Sequence, residues 1–227
     1  MDNSSWVSIF LHGSSFFGFG GCLLLLLAVV LPAPLYIGRN GERYSIFNHF
    51  ISELGEVEVS KGAHYFNRCL FAAGWLYLPF AVALGLSIGN IWAKLGMVAG
   101  IGTAVACMLV AIFPMDQLER HIRVASTFFQ SGLVTVILFT SAIWLQPADT
   151  AVIPKAVDVI GILCVLSYSL FLLFGVRALP GTEKTDFLNT DIFEHRPRFW
   201  IVPVLEWLVF LSTIAWFLGL SLALMQI

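Results

Sequence analysis

Apolar residues fall into six long runs: Ser15–Ile37, Tyr65–Ser87, Ile91–Phe113, Val124–Leu145, Ile153–Val176 and Ile201–Met225. A helix needs about 20 apolar residues to cross a hydrocarbon core, so each run predicts one transmembrane helix. The expected fold class is all-α, a polytopic membrane protein built as a six-helix transmembrane bundle, with residues 1–227 forming a single domain. The polar side chains are spread unevenly. Nearly all the His, Asn, Arg and carboxylate groups fall in the first, third and fifth connections or at the helix ends beside them. In a six-span protein those three connections share one membrane face. Residence in lipid alone gives no reason to collect ionisable groups on one side, so this face is the candidate working face.

In the first connection, Tyr44–Gly55 carries apolar residues at Ile46, Phe47, Phe50, Ile51 and Leu54, with Asn48, His49, Ser52 and Glu53 between them. That spacing paints one face of a helix, and Gly55 is a suitable stop. The expectation is a short amphipathic helix lying at the membrane boundary or folded back into the bundle. At the start of span two, His64, Asn67 and Arg68 stand at i, i+3 and i+4 and share a face. One reading is structural: Asn67 ties helices together and Arg68 snorkels to the headgroups. The other is a site, with a base or ligand, an amide and a cation stacked beside Glu53.

Span three ends at Phe113-Pro114. Asp116, followed three residues later by Glu119, resembles a capping box. Asp116 is therefore expected to accept backbone N–H groups of the helix it starts. His121 follows more than a turn on, and Arg123, Ser126 or Thr127, and Gln130 continue a polar line into span four. An amide inside a span, such as Gln130, as a rule faces the bundle interior. Glu206 lies over a turn inside span six, past Pro203. A carboxylate in hydrocarbon is costly and should find a partner inside, Arg68 or His121 being the candidates. Arg196, Arg198 and Trp200, closing the fifth connection, suit anchoring to anionic headgroups. Asp158, toward the opposite end of span five, reads as interfacial.

Composition changes the picture in three places. Charged residues are 11% of the chain, hydrophobic ones 59%, and mean hydropathy is +0.88; soluble domains carry about 25% charged residues. There is too little polar surface to cover a water-soluble globule, and no basic patch for nucleic acid. Of the twelve Lys and Arg residues, only Lys94 and Lys155 lie on the side of the even connections. That bias puts the odd connections in the cytoplasm and both termini outside. Cys22, Cys69, Cys107 and Cys164 each lie within an apolar run and read as small buried residues, neither disulfides nor zinc ligands. No Lys or Arg precedes Arg39, unlike a signal peptide, so the first run is expected to be an uncleaved span. Gly85-x-x-x-Gly89 and Gly96-x-x-x-Gly100 offer sites of close helix approach.

Tyr44-Ser45, Asn48 and Ile51-Ser52-Glu53-Leu54-Gly55, then Phe66-Asn67, then Phe113-Pro114-x-Asp116 with His121 following, together resemble domain-of-unknown-function family 998. That family comprises prokaryotic six-span membrane proteins, which implies a prokaryotic cell membrane. A more distant similarity is to the Frag, autophagy-modulator and Sfk group, some members of which are linked to lipid handling. The family's last span often carries Gly-x-x-Glu-Arg. Here Glu206-Trp207 occupies that place without the Arg, so no charge partner within that helix is expected. The family supplies no reaction.

Three functions fit these residues. The first is binding or handling of membrane lipids. Arg68 and the basic fifth connection would hold a phosphate, Asn48, Ser52 and Asn67 would bond the headgroup, with Gln130 and Glu206 completing the binding set, and a groove between spans would take the chains. The second is a membrane hydrolase or acyltransferase. In one version His64, Asp116 and His121 hold zinc, with Glu53 as a further ligand or base; in a metal-free version Ser52 is the nucleophile and a histidine the base. The absence of a His-x-x-x-His pair and of a Gly-x-Ser-x-Gly turn weighs against both. The third is a proton-coupled carrier using Glu206 and the histidines, which a chain without repeats or broken helices disfavours.

Overall fold

A computed structural model describes residues 3–177 and 196–226. Among them are six helices long and apolar enough to cross a membrane: α1 (Asn3–Val30), α2 (Ala63–Ile88), α3 (Ile91–Ile112), α4 (Leu118–Trp144), α5 (Ala156–Arg177) and α6 (Ile201–Leu224). The fold is the expected six-helix bundle, and its helices mark a multi-pass membrane protein. Each helix packs on its neighbours in sequence, and α1 packs on α6, so the six close into a ring. Among the described residues, extended pairing is limited to one bridge between Tyr36 and Ser60. Lys184 and the Thr185–His195 part of the fifth connection lie outside the described residues.

The even connections are short and stopped by local chemistry. Gly89, at φ 74°, ends α2 in the left-handed conformation, which glycine adopts without a Cβ penalty. Asn90 then caps α3, its side chain accepting from Ala93 N–H at 2.9 Å. So Gly89 is a helix stop, not half of a packing motif. Gly85 and Gly100 do allow close packing: a Cβ at Gly85 would stand 2.6 Å from Met97, and one at Gly100 would stand 3.1 Å from Ala81. The α4–α5 link is stitched by Gln146, whose Oε1 accepts from Val152 and Ile153 N–H while Nε2 donates to the Ile143 and Ile153 carbonyls. Cys22, Cys107 and Cys164 are buried free thiols.

The first connection departs from expectation. The three-turn amphipathic helix is replaced by a turn and a five-residue 3-10 helix, Ile51–Gly55. Its expected division into an apolar and a polar face also fails, although Ile51 and Leu54 are buried. Ile46 and Phe47 are about half exposed, whereas His49 and Glu53 are at most 2% exposed. Apolar periodicity misled here because the polar side chains find buried partners from elsewhere in the chain, which removes the cost of burying them.

Candidate functional site

The first connection is pinned over one end of the bundle from four directions. At its centre lies Glu53. One carboxylate oxygen accepts from Arg196 Nη2 at 2.7 Å and from the Tyr36 hydroxyl at 3.1 Å. The other accepts from Arg196 Nη1 at 2.8 Å and from Phe50 N–H at 2.8 Å. The last bond is the side-chain half of a capping box for the 3-10 helix. The Arg196 side chain is 11% exposed and that of Glu53 1%, so this bidentate pair works in low dielectric, where its geometry has to be good to offset desolvation. The sequence context of Arg196 suits a headgroup anchor. The structure corrects this: the guanidinium faces inward and holds the end of the fifth connection against the first. Asn48 joins the same seam, its Nδ2 donating to the Pro197 carbonyl at 3.1 Å, and Trp200 N–H donates to the Phe47 carbonyl at 2.8 Å.

The other three ties come from the third connection and from two spans. Asp116 accepts from Val57 N–H at 2.7 Å and Glu58 N–H at 2.9 Å. It therefore braces a loop distant in sequence and does not cap the helix that follows it, as its position had suggested. Asn67 Nδ2 donates to the Gly55 carbonyl at 2.9 Å, which fits its structural reading. Glu206, 7% exposed, accepts from Ile51 N–H at 2.7 Å. The partner of this intramembrane carboxylate is thus a backbone amide, neither Arg68 nor His121. Together these side chains satisfy backbone groups of an irregular segment that regular structure leaves unpaired.

His49 sits inside this clamp. Its ring packs against Tyr36 and Tyr44, each with centroids 5.3 Å away, and Nδ1 lies 2.7 Å from Asn48 Oδ1. Burial, and then the adjacent Arg196 charge, bring its pKa down from the ordinary 6.5 to about 4. Burial, and then the carboxylate of Glu53, push the Tyr36 phenol upward, so its hydroxyl stays a donor at neutral pH. Arg39 pairs with the buried Glu56 at 2.5 Å.

Beneath the clamp lies a cavity of about 560 Å³, a size typical of small-ligand pockets. Five of its walls are helices, α1, α2, α4, α5 and α6, with Val110 of α3 and the first connection completing it. Leu25, Leu70, Phe128, Phe129, Phe171 and Val209 make it mainly apolar. Polar groups gather at the end nearest the clamp: Ser52, His121 and Glu206. His121, 6% exposed, binds the Phe113 carbonyl through Nδ1 at 2.8 Å. Ser52 Oγ donates to Met115 Sδ at 3.2 Å. At the far end, Thr213 Oγ1 donates to the Tyr168 hydroxyl at 3.3 Å. Glu119, Arg123 and Gln130 line the α4 wall and are exposed, so Gln130 stands where the cavity meets the outside, not in the interior as expected.

A sequence profile for the family described as "Protein of unknown function (DUF998)" matches residues 21–223. The chain belongs to this family. No curated protein and no solved structure matches it. In this DUF998 chain the residues singled out from sequence divide into three groups. Ser52, His121 and Glu206 meet at the cavity's polar end, with Gln130 at its margin. Asn48, Glu53, Asn67 and Asp116 brace the first connection. His64 and Arg68 are exposed on α2 and do not line the cavity. Among the described residues no three His, Cys, Asp or Glu side chains are grouped to share a metal ion, and the His64, Asp116 and His121 set is not brought together. Sequence reading missed Tyr36, His49 and Arg196 as a buried unit, and missed the aromatic cavity wall. An aromatic in a span gives no sign of whether it faces protein or lipid.

Proposed function

We propose that the protein binds a membrane amphiphile, with its chain in the cavity between the spans and its polar end beneath the first connection. The observation that carries this reading is the cavity itself: about 560 Å³ inside a ring of spans, apolar along its length, with Ser52, His121 and Glu206 at one end. An apolar void of this size inside a helix bundle forfeits packing contacts unless something fills it. Exposed lining residues on α4 support lateral entry from the bilayer. Arg68 takes no part in this reading, since it lies outside the cavity.

Native mass spectrometry of protein extracted in mild detergent tests the proposal. We expect a lipid-mass adduct on the parent. Ser126→Trp places a large ring in the cavity and is expected to remove the adduct while the protein remains folded by circular dichroism. Gly175→Phe provides a second filling variant, because a Cβ there meets no atom within 4 Å. A parent without an adduct, or an adduct undiminished in both folded variants, overturns the reading.

A further inference from the structure

The chemistry at the cavity's polar end narrows what class of head it takes. Three observations bear on it. First, His121 commits Nδ1 to the Phe113 carbonyl at 2.8 Å. A carbonyl only accepts, so Nδ1 carries the proton, and Nε2 of the neutral ring is left as an acceptor. Among the described residues no hydrogen bond uses that nitrogen. Second, Glu206 has one oxygen occupied by Ile51 N–H at 2.7 Å, and among the described residues its other oxygen takes no hydrogen bond. Both residues line the cavity and are under a tenth exposed. Third, the one Lys or Arg among the described lining residues is Arg123. Its side chain is 76% exposed, and it is already paired with Glu119.

An anionic head would therefore enter a low-dielectric space beside a carboxyl group, with no inward-facing cation among the described lining residues, the nearest buried guanidinium, Arg196, being committed to Glu53. An uncompensated charge in such a place is strongly disfavoured. A head with O–H or N–H donors meets a different situation: His121 Nε2 can accept from it, and the free oxygen of Glu206 can donate to a hydroxyl as a neutral acid or, by giving its proton to an amine, pair with the resulting ammonium. We infer that the cavity selects an amphiphile whose head donates hydrogen bonds and bears no negative charge, a long-chain alcohol or amine, with His121 Nε2 and the unbonded oxygen of Glu206 as its recognition groups. This rests on the amphiphile-binding reading above and reverses the polarity expected from sequence, where Arg68 and the basic fifth connection would have held a phosphate.

The test uses the full chain in an uncharged detergent and four probes sharing one chain: dodecanol, dodecylamine, laurate and dodecyl phosphate. Binding is read by displacement of a fluorescent alkyl reporter. The alcohol or the amine is expected to bind at least about tenfold more tightly than the two anions, a difference of about 1.4 kcal/mol. Binding of the alcohol alone or the amine alone supports the inference and names the source of the donor. In Glu206→Gln, amine affinity is expected to fall more than alcohol affinity, since the amide still bonds a hydroxyl but cannot pass a proton to the amine and become its counter-charge. Laurate or dodecyl phosphate binding as tightly as the neutral head overturns the inference and leaves amphiphile binding standing. Failure of the reporter and of all four probes to bind overturns both. The comparison of heads is made on the parent protein, so it does not depend on any variant folding.

Discussion

The two ends of this bundle solve the same problem in opposite ways. At the even-connection end, α2 passes to α3 through Gly89 and Asn90, and each residue satisfies the helix end beside it. Gln146 does the same for the α4–α5 link within ten residues of its own position. At the odd-connection end, the 32-residue stretch between α1 and α2 has little regular structure to satisfy its own backbone. It borrows partners from far along the chain: Asp116 at a separation of 59 residues, Arg196 at 143 and Glu206 at 155. The difference shows what the polar residues of the odd face are for. Among the described residues, Glu53, Asn67, Asp116 and Arg196 hold an irregular cover in place, and Ser52, His121 and Glu206 face the space beneath it.

Removing long-range partners should therefore cost more than removing local ones. The largest effect is expected from Arg196→Ala, which leaves Glu53 charged, buried and without its bidentate partner. Loss of about 3–5 kcal/mol is expected, seen as a large drop in thermal midpoint in detergent. Replacing both residues with methionine should recover most of it, and a single variant as stable as the parent would break the comparison at its centre. The same clamp has a pH dependence. His49 has a folded pKa of about 4 against an ordinary 6.5, so between those values the unfolded chain binds more protons. Stability should be full above about pH 6.5 and fall as pH drops toward 4. Thermal melts across that range check this, and His49→Gln should flatten the slope.

Asp116→Ala removes the acceptor of two N–H groups and is expected to cost about 1–3 kcal/mol. It should also open the chain near Val57 to limited proteolysis, whereas the even links should remain resistant. The smallest effect belongs to the local end: Asn90→Ala should cost about 1 kcal/mol and leave proteolysis of the first connection unchanged. If Asn90→Ala matched Arg196→Ala, the contrast between local and borrowed satisfaction would fail.

The architecture was legible because span length and apolarity are set by the bilayer, and they are written continuously along the chain. Glycine and asparagine at the α2–α3 link were less clear: Gly85-x-x-x-Gly89 reads as one motif, yet its first residue packs and its second stops a helix. The candidate site was legible only as a list of residue types. Glu53 and Arg196 lie 143 positions apart, and no local pattern announces that they pair. Arg196 sits beside Arg198 and Trp200, the very context of a headgroup anchor, so local composition pointed outward where tertiary packing points inward. Asp158 shows another feature that composition does not announce. In the first turn of α5, it is 2% exposed, and among the described residues neither of its oxygens takes a hydrogen bond.

The seam between Asn48 and Pro197 has a consequence for biogenesis. A ribosome feeding this polypeptide into a bilayer delivers five spans before Arg196 emerges, so Glu53 must wait, solvated, through most of synthesis. The lid over the cavity can lock only when the last helix enters, which makes closure a late event and a truncated chain one that stays ajar.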